Sequence, residues 1–156
     1  INLKPFKRIK IEEFQNDYNI NVVGLLNILK FYERSLNNNS SIVMFSSVAA
    51  KVGMPFHASI AMYKSAITSL SRTLAAEWSP KIRLNTISPS LFNSTMSQKF
   101  LKDESMIERM SDKHPLNRVG SVSDISSMIN FLISEQSSWI TGQDFSVDGG
   151  MSTLVK

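Results

Sequence analysis

The chain has 156 residues, of which 42% are hydrophobic and 19% are charged. That length and balance suit one folded globular domain and exclude a disordered chain. No apolar run approaches the roughly 18 residues of a membrane span, so we expect no membrane partner. The absence of cysteine excludes disulfides and thiolate metal sites, and we expect a cytoplasmic protein.

The net charge is +4, and the basic side chains are scattered except for four near the start, which are Lys4, Lys7, Arg8 and Lys10. A nucleic-acid-binding protein concentrates positive charge on one face and interleaves it with stacking aromatic rings. The sequence therefore favours a solvated surface and predicts no nucleic-acid partner. Binding through the basic start is the minor alternative, and it requires an affinity that falls steeply with salt.

The first predicted element is a helix over 11–36. Glu12 and Glu13 lie at its start, where the helix dipole favours negative charge. Apolar residues spaced three and four apart form one stripe along it, namely Val22, Leu25, Leu29, Tyr32 and Leu36.

A strand over 42–45 and a second helix over 57–78 follow. The strand is a continuous apolar run, which is typical of a strand covered on both faces. The helix ends before Pro80, and its apolar stripe consists of Ile60, Tyr63, Ile67, Leu70, Leu74 and Trp78. The run over 82–87 predicts the next strand.

The remaining third of the chain predicts an irregular segment over 95–115, one more helix and one more strand. Ser121 and Asp124 form a capping-box-like helix start before an apolar stripe that begins at Ile125. Phe145 and Val147 alternate with polar neighbours in a short final strand. This alternation of helices and strands predicts an α/β fold with a parallel sheet.

Functional residues of open parallel sheets collect at the carboxyl ends of the strands. Ser46 and Ser47 end the first predicted strand, and Ser88 and Ser90 end the second. Lys64 lies early on the intervening helix, from which its side chain can reach both strand ends. These ends are therefore the candidate site.

These residues resemble a known family. The segments 42–47, 83–89 and 140–150, together with Asn21-Val22-Val23-Gly24 and Lys64, are similar in order and spacing to the C-terminal, catalytic half of short-chain dehydrogenases/reductases. The resemblance implies that 1–156 is a single domain, the second half of a Rossmann-type doubly wound parallel sheet. It also implies NAD(P)(H)-dependent oxidation or reduction of a small alcohol or carbonyl compound, and a homo-oligomer.

The resemblance assigns roles residue by residue. Ser47 matches the serine that hydrogen-bonds the substrate oxygen, Lys64 the lysine that holds the nicotinamide ribose, and Asn21 the asparagine at a helix kink that admits a relay water. The loop that touches the nicotinamide contains Pro89, Ser90, Phe92 and Ser94, where Ser90 replaces a glycine and Ser94 a threonine. The segment 95–115 corresponds to a substrate lid.

The sequence departs from the family pattern at the catalytic tyrosine. That residue lies four positions before the lysine, which here is Ile60. Tyr63 is the nearest tyrosine, and two hypotheses are open for it: a core or interface residue on the apolar stripe, or a doubtful substitute acid/base. Loss of the tyrosine also keeps open a non-catalytic binding or assembly protein of the same fold.

The second departure is the dinucleotide-binding motif. The chain has six glycines and no G-x-G-x-x-G or related cluster, and it begins at Ile1. We expect that residues upstream of Ile1 carry that motif, or that the chain is a truncated product. His57 and His114 have neither a partner acid nor metal-ligand spacing, so we expect a helix-start residue, a lid-loop residue and no metal site.

Overall fold

The computed structural model describes residues 3–155. No helix within them is long and apolar enough to cross a membrane. Five single-turn 3-10 helices lie between the main elements, at Phe6–Arg8, Glu33–Ser35, Val48–Ala50, Gln98–Phe100 and Glu135–Ser137. In chain order the main elements are α1 (Ile11–Tyr18), α2 (Gly24–Tyr32), β1 (Ser40–Phe45), α3 (Ala58–Trp78), β2 (Ile82–Pro89), α4 (Glu104–Ser111), α5 (Val122–Ile133) and β3 (Asp144–Val147).

The three strands form one parallel sheet in the order β1-β2-β3. Met44 lies opposite Thr86, and Ile87 lies opposite Phe145. Each connection between neighbouring strands contains a helix, as parallel pairing requires. The predicted α/β fold is confirmed as a Rossmann-like parallel sheet flanked by helices.

Side chains of the strands alternate between two apolar layers. On one face, Met44 and Leu84 pack against Leu29 of α2 and Ile67 of α3. On the other face, Val43, Ile87 and Phe145 pack against α5 through Ile125 and Leu132. Because β2 is covered on both faces, seven of its eight residues are buried, which explains its continuous apolar character.

The predicted helix over 11–36 is interrupted. A π-helical turn at Asn19–Val23 separates α1 from α2, and the Gly24 amide donates to the Asn19 carbonyl, five residues back. α2 ends at Tyr32, which is exposed, so placing Tyr32 and Leu36 on a buried helical stripe was wrong. Tyr32 instead stacks edge-on against Phe31 at the surface.

Two further predictions need correction. The β1 strand is not covered evenly on both faces, because Phe45 at its end is 42% exposed. The segment 95–115 contains the helix α4 rather than only irregular backbone. The Asp103 side chain caps α4 by accepting from the Met106 amide at 2.8 Å, but Ile107 is exposed, and this leaves no clear apolar stripe in the sequence.

The other helices follow the prediction closely. α3 begins one residue after His57, its N-cap, and ends at Trp78, before Pro80. α5 begins with the predicted capping box, in which Ser121 and Asp124 exchange side-chain and backbone hydrogen bonds. Arg118 adds two hydrogen bonds to the Asp124 carboxylate, at 2.7 and 2.8 Å, and these hold the pKa of Asp124 far below its usual range.

Candidate active site

The carboxyl ends of β1 and β2 meet at one edge of the sheet. Ser46 follows β1, and its amide donates to the Ile87 carbonyl at 2.8 Å, which continues the ladder between the strands. Ser90 follows β2, and its amide donates to the Val147 carbonyl at 3.3 Å. The predicted juxtaposition of the two serine-bearing strand ends is therefore present.

Ser47 begins the 3-10 turn at Val48–Ala50. Its backbone is extended, and its Oγ accepts a hydrogen bond from the Ala49 amide at 3.2 Å. This contact uses an oxygen lone pair, so the hydroxyl hydrogen stays available to donate to a ligand oxygen.

Lys64 reaches from α3 to the end of β1. Its Nζ donates to the Phe45 carbonyl at 2.9 Å, and burial of the ammonium lowers its pKa. Two hydrogen bonds hold α3 against Ser46, the residue that follows β1. Ser46 Oγ donates to the Lys64 carbonyl at 3.1 Å, and Thr68 Oγ1 donates to Ser46 Oγ at 2.9 Å. An ammonium has three hydrogens, so two of them can serve a ligand.

Ser47 and Lys64 share a groove of about 500 Å³. Its walls are mostly apolar, with a few hydroxyl groups and one ammonium, which is the usual make-up of a small-molecule site. The groove is lined by Phe45, Ser46, Ser47, Ile60, Lys64, Pro89, Ser90, Leu91, Phe92, Ser94, Thr95, Met96, Ser97 and Phe100. It thus brings together Ser47, Lys64 and the four loop residues assigned to the nicotinamide.

The loop after β2 is held rigidly. Ser97 Oγ donates to the Phe92 carbonyl at 2.6 Å and accepts from the Ser94 amide at 2.8 Å. Phe92 also forms an isolated bridge with Gly120, where an added Cβ would lie only 2.9 Å from Phe92 Cβ. A glycine at position 120 is therefore what lets the two backbones approach.

Ile60 and Tyr63 occupy different environments on α3. Ile60 lines the groove beside Ser47. Tyr63 is buried against Val22 and Ala49 and is not one of the residues that line the groove. Desolvation, with a smaller contribution from the negative charge of Asp17, raises the pKa of Tyr63 to about 12.

Asn21 lies inside the π-helical turn, where its Nδ2 donates to the Asp17 carbonyl at 2.8 Å. The predicted distortion of the helix at Asn21 is therefore present. The asparagine side chain thus hydrogen-bonds the backbone of the preceding turn, next to the wider turn.

Sequence reasoning missed the pairing of His114 with Ser90. A second lobe of the groove, of about 270 Å³, extends from Ser47 and Ile60 to His57, Met110, Lys113 and His114. In it, His114 Nε2 lies 2.8 Å from Ser90 Oγ. The two residues are 24 positions apart and belong to no spacing motif, so only the folded chain reveals the contact.

The groove fits the nicotinamide riboside end of a dinucleotide. Its flat apolar walls suit an aromatic ring, and the polar groups of Ser47, Lys64 and Ser90 suit ribose and carbonyl oxygens. The sequence has no glycine cluster that could cradle the diphosphate. The groove therefore fits the nicotinamide riboside half of the cofactor, which carries the hydride.

Comparison with known proteins agrees with this geometry. A family model described as enoyl-(acyl carrier protein) reductase matches residues 2–152. The 2-(S)-hydroxypropyl-CoM dehydrogenase 3 of Xanthobacter autotrophicus is 38% identical over 122 residues, which are 75% of this chain and 48% of that protein. Carbonyl reductase [NADPH] 2 of Sus scrofa is 28% identical over 152 residues, which are 95% of this chain and 62% of that protein.

Among solved structures, a short-chain dehydrogenase/reductase from Brucella melitensis superposes with a TM-score of 0.92 at 31% identity, covering 99% of this chain and 62% of that one. The chain spans about half the length of the curated relatives that it matches. The family match covers nearly every residue, and the fold agrees with it. The chain therefore belongs to the short-chain dehydrogenase/reductase family.

Proposed function

We propose that the protein is an NAD(P)(H)-dependent oxidoreductase that acts on a small alcohol or carbonyl compound. The observation that carries this proposal is the groove in which the Ser47 hydroxyl, the Lys64 ammonium and the loop after β2 face one another. The names of its relatives support it, since they include a hydroxyalkyl dehydrogenase and an NADPH carbonyl reductase.

Within this proposal, each groove residue has a distinct task. The bound nicotinamide supplies or accepts the hydride. Lys64 donates to the nicotinamide ribose, and Ser47 donates to the substrate oxygen. Pro89, Ser90, Phe92 and Ser94 contact the nicotinamide, and 95–115, which includes α4, covers the substrate. Asn21 holds the helix distortion that admits a relay water.

The proton donor is the open question of this site. Ile60 stands four residues before Lys64, at the family's tyrosine position, and has no titratable group. Tyr63 keeps its proton to about pH 12 and packs in the core, so we propose that it is a core residue rather than the substitute acid/base. The active site is in this respect atypical for its family.

The test of the leading function is dinucleotide binding by the full-length protein. We expect Lys64→Met to weaken NADH or NADPH binding at least tenfold, because it removes the charged donor from the groove. Lys30→Met, a substitution of an exposed lysine on α2, is the matched control and should leave the affinity unchanged. Equal affinities of the Lys64 variant and the native protein would contradict the assigned role.

The alternative function is a binding or assembly protein that keeps the fold without catalysis, and the observation that favours it is Ile60. It predicts that the native protein binds dinucleotide without turning over ketones, and that Ile60→Tyr creates turnover while Ile60→Phe does not. If the Ile60→Tyr protein binds dinucleotide and remains inert, the missing tyrosine does not explain the lack of activity.

We also propose that the protein forms a homo-oligomer in the cytoplasm. On α2, Ile28 and Phe31 expose large apolar side chains, and Phe31 is 78% exposed. Isolated exposed apolar residues are common, but adjacent ones on one helix mark a contact surface. Light scattering of the native protein and of a Phe31→Ser variant tests this, since the variant should shift toward the monomer.

A further inference from the structure

His114 is a buried histidine that the family-based roles leave without a task. It is 3% exposed and lines the same lobe of the groove as Ser47, Ile60 and Ser90. A buried polar side chain that faces a substrate-sized cavity is costly unless it is hydrogen-bonded or used.

The hydrogen bonds of His114 fix its tautomer. Its Nδ1 lies 2.8 Å from the Met110 carbonyl oxygen, which can only accept, so Nδ1 carries a hydrogen. In the neutral ring, Nε2 is then an acceptor, and it lies 2.8 Å from Ser90 Oγ. The Ser90 hydroxyl is also 3.0 Å from the sulfur of Met151, but a thioether is a much weaker acceptor than imidazole nitrogen.

Three separate parts of the fold hold this pair in place. Met110 belongs to α4, Ser90 follows β2, and Gly149 lies after β3. Gly149 has φ +61°, and a Cβ on it would contact His114 Cβ at 3.4 Å. The ring is thus positioned from several sides, as a proton-transfer group must be.

We propose that Ser90 and His114 form the proton-transfer pair of this site, in place of the absent tyrosine. In the reducing direction, a reduced nicotinamide held in the groove would supply the hydride to the carbonyl carbon, and the protein must supply the proton to the carbonyl oxygen. The Ser90 hydroxyl gives its hydrogen to the substrate oxygen and takes the Nε2 hydrogen of the His114 imidazolium. His114 ends neutral, and a solvent proton restores it. This proposal rests on the function proposed above.

Ser90 is the catalytic residue in this scheme, and His114 acts through it. Both line the lobe that contains Ser47, whose hydroxyl binds the same substrate oxygen in the proposed function. The side chain of Ile60 completes the wall without offering a competing proton.

Other titratable groups surround the pair and must be separated from it. His57 and Lys113 line the same lobe. Arg118, Asp124 and Asp148 line an adjoining cavity that His114 also borders. A control residue must therefore lie outside the groove, and the exposed Lys30 of α2 meets this requirement.

The experiment uses the full-length protein with NADH or NADPH and a panel of small ketones and aldehydes. We expect His114→Gln and Ser90→Ala to lower kcat by about 10²-fold or more, which is typical of a lost acid/base group. The His114→Gln enzyme should also lose the pH dependence of kcat that a proton-transfer group confers. Dinucleotide affinity should change little in His114→Gln, because His114 does not line the part of the groove that contains Lys64. Ser90→Thr, which retains the hydroxyl, should keep part of the rate and the pH dependence.

Nitrogen NMR of His114 gives a readout that does not depend on activity. The native protein should show the Nδ1-protonated tautomer, and Ser90→Ala should shift the Nε2 resonance because its hydrogen bond is removed. A Lys30→Met protein should retain the native kcat and pH profile. If His114→Gln does not fold, the comparison of Ser90→Ala with Ser90→Thr decides the question.

Three outcomes distinguish failure of the Ser90–His114 pair from failure of the proposed function. An unchanged kcat and pH profile in His114→Gln would overturn the pair while leaving the oxidoreductase intact. A native protein that binds neither dinucleotide would overturn the proposed function and the pair together. Dinucleotide binding without turnover of any carbonyl compound would overturn the pair and favour the non-catalytic alternative.

Discussion

Two polar clusters of this chain differ in how completely their hydrogen-bonding groups are used. Arg83, on β2, donates to the carbonyls of Leu132, Ser134 and Ile140 and to Ser137 Oγ, at 2.9 to 3.2 Å. Lys64 and Ser47, in the groove, make fewer hydrogen bonds. Lys64 donates to one carbonyl, and Ser47 accepts from one amide.

The comparison distinguishes polar side chains that stabilise the fold from polar side chains that can bind a ligand. The Arg83 guanidinium satisfies carbonyls at the end of α5 and in the following loop, so it replaces water in the interior. Lys64 and Ser47 keep donor capacity that points into a cavity. Fully paired polar groups stabilise the fold, whereas partly paired ones are available to a ligand.

The largest stability loss should follow from Arg83→Met. It removes four hydrogen bonds of a charged donor from the interior, although the three carbonyls keep donors from Ser41, Asn85 and Ser137. We expect a loss of about 3 kcal/mol in the free energy of unfolding. Denaturant unfolding measures it, with the exposed Arg72→Met as the control. If Arg83→Met destabilises the protein no more than Arg72→Met does, the number of hydrogen bonds made by a polar side chain would not indicate a structural role.

Tyr63 should make stability fall at high pH. Its pKa is raised from 10.0 to about 12 by burial, so below pH 10 both folded and unfolded states hold the proton. Between pH 10 and 12 only the unfolded state releases it, and the protein should lose about 2 kcal/mol relative to Tyr63→Phe. The near-ultraviolet absorbance of the phenolate gives a second measure. Titration of Tyr63 close to pH 10 would return it to the list of acid/base candidates.

The exposed capping box of α5 should contribute less than the Arg83 cluster. Ser121→Ala removes the acceptor for the Asp124 amide and should cost about 1 kcal/mol, while Ser126→Ala on the same helix should cost little.

The pKa of Asp124 is depressed below its usual 3.8, chiefly by Arg118. Its contribution is therefore present above pH 3.8 and lost as the pH falls further, and an acid titration of stability that is identical in Asp124→Asn would contradict this.

The smallest stability effect should come from Lys64→Met. Burial lowers the pKa of Lys64, which means that the charged ammonium is less stable in the fold than in water. Removing it relieves that cost but leaves the Phe45 carbonyl without a donor, so the free energy of unfolding should change by less than about 1 kcal/mol. A loss as large as that of Arg83→Met would remove the distinction between the two clusters.

The sequence predicted the elements whose signals are local. The capping box at Ser121, the break before Pro80 and the apolar run of β2 each depend on a few neighbouring residues, and each was confirmed. The position of Lys64 beside the strand ends also followed from topology alone. The α4 helix was missed because its apolar side chains are few and partly exposed.

The features that escaped prediction depend on tertiary contacts. The Ser90–His114 hydrogen bond joins a strand end to a segment beyond α4, and no periodicity encodes it. Likewise, the spacing of Val22, Leu25 and Leu29 suggests an uninterrupted helix, because a π-helical turn leaves the local apolar pattern intact while changing the hydrogen bonding.

The π-helical turn at Asn19–Val23 holds about one residue more than an α-helical turn does. Deleting one residue there should therefore restore regular helical bonding while α1 keeps its face toward α3, where Ser59 Oγ donates to the Asp17 carboxylate at 3.1 Å. A deletion within α2 has no extra residue to remove, so it would rotate α1 by about 100° around the helix axis and away from that contact. Single-residue deletions between positions 19 and 23 should therefore be tolerated better than single-residue deletions within α2.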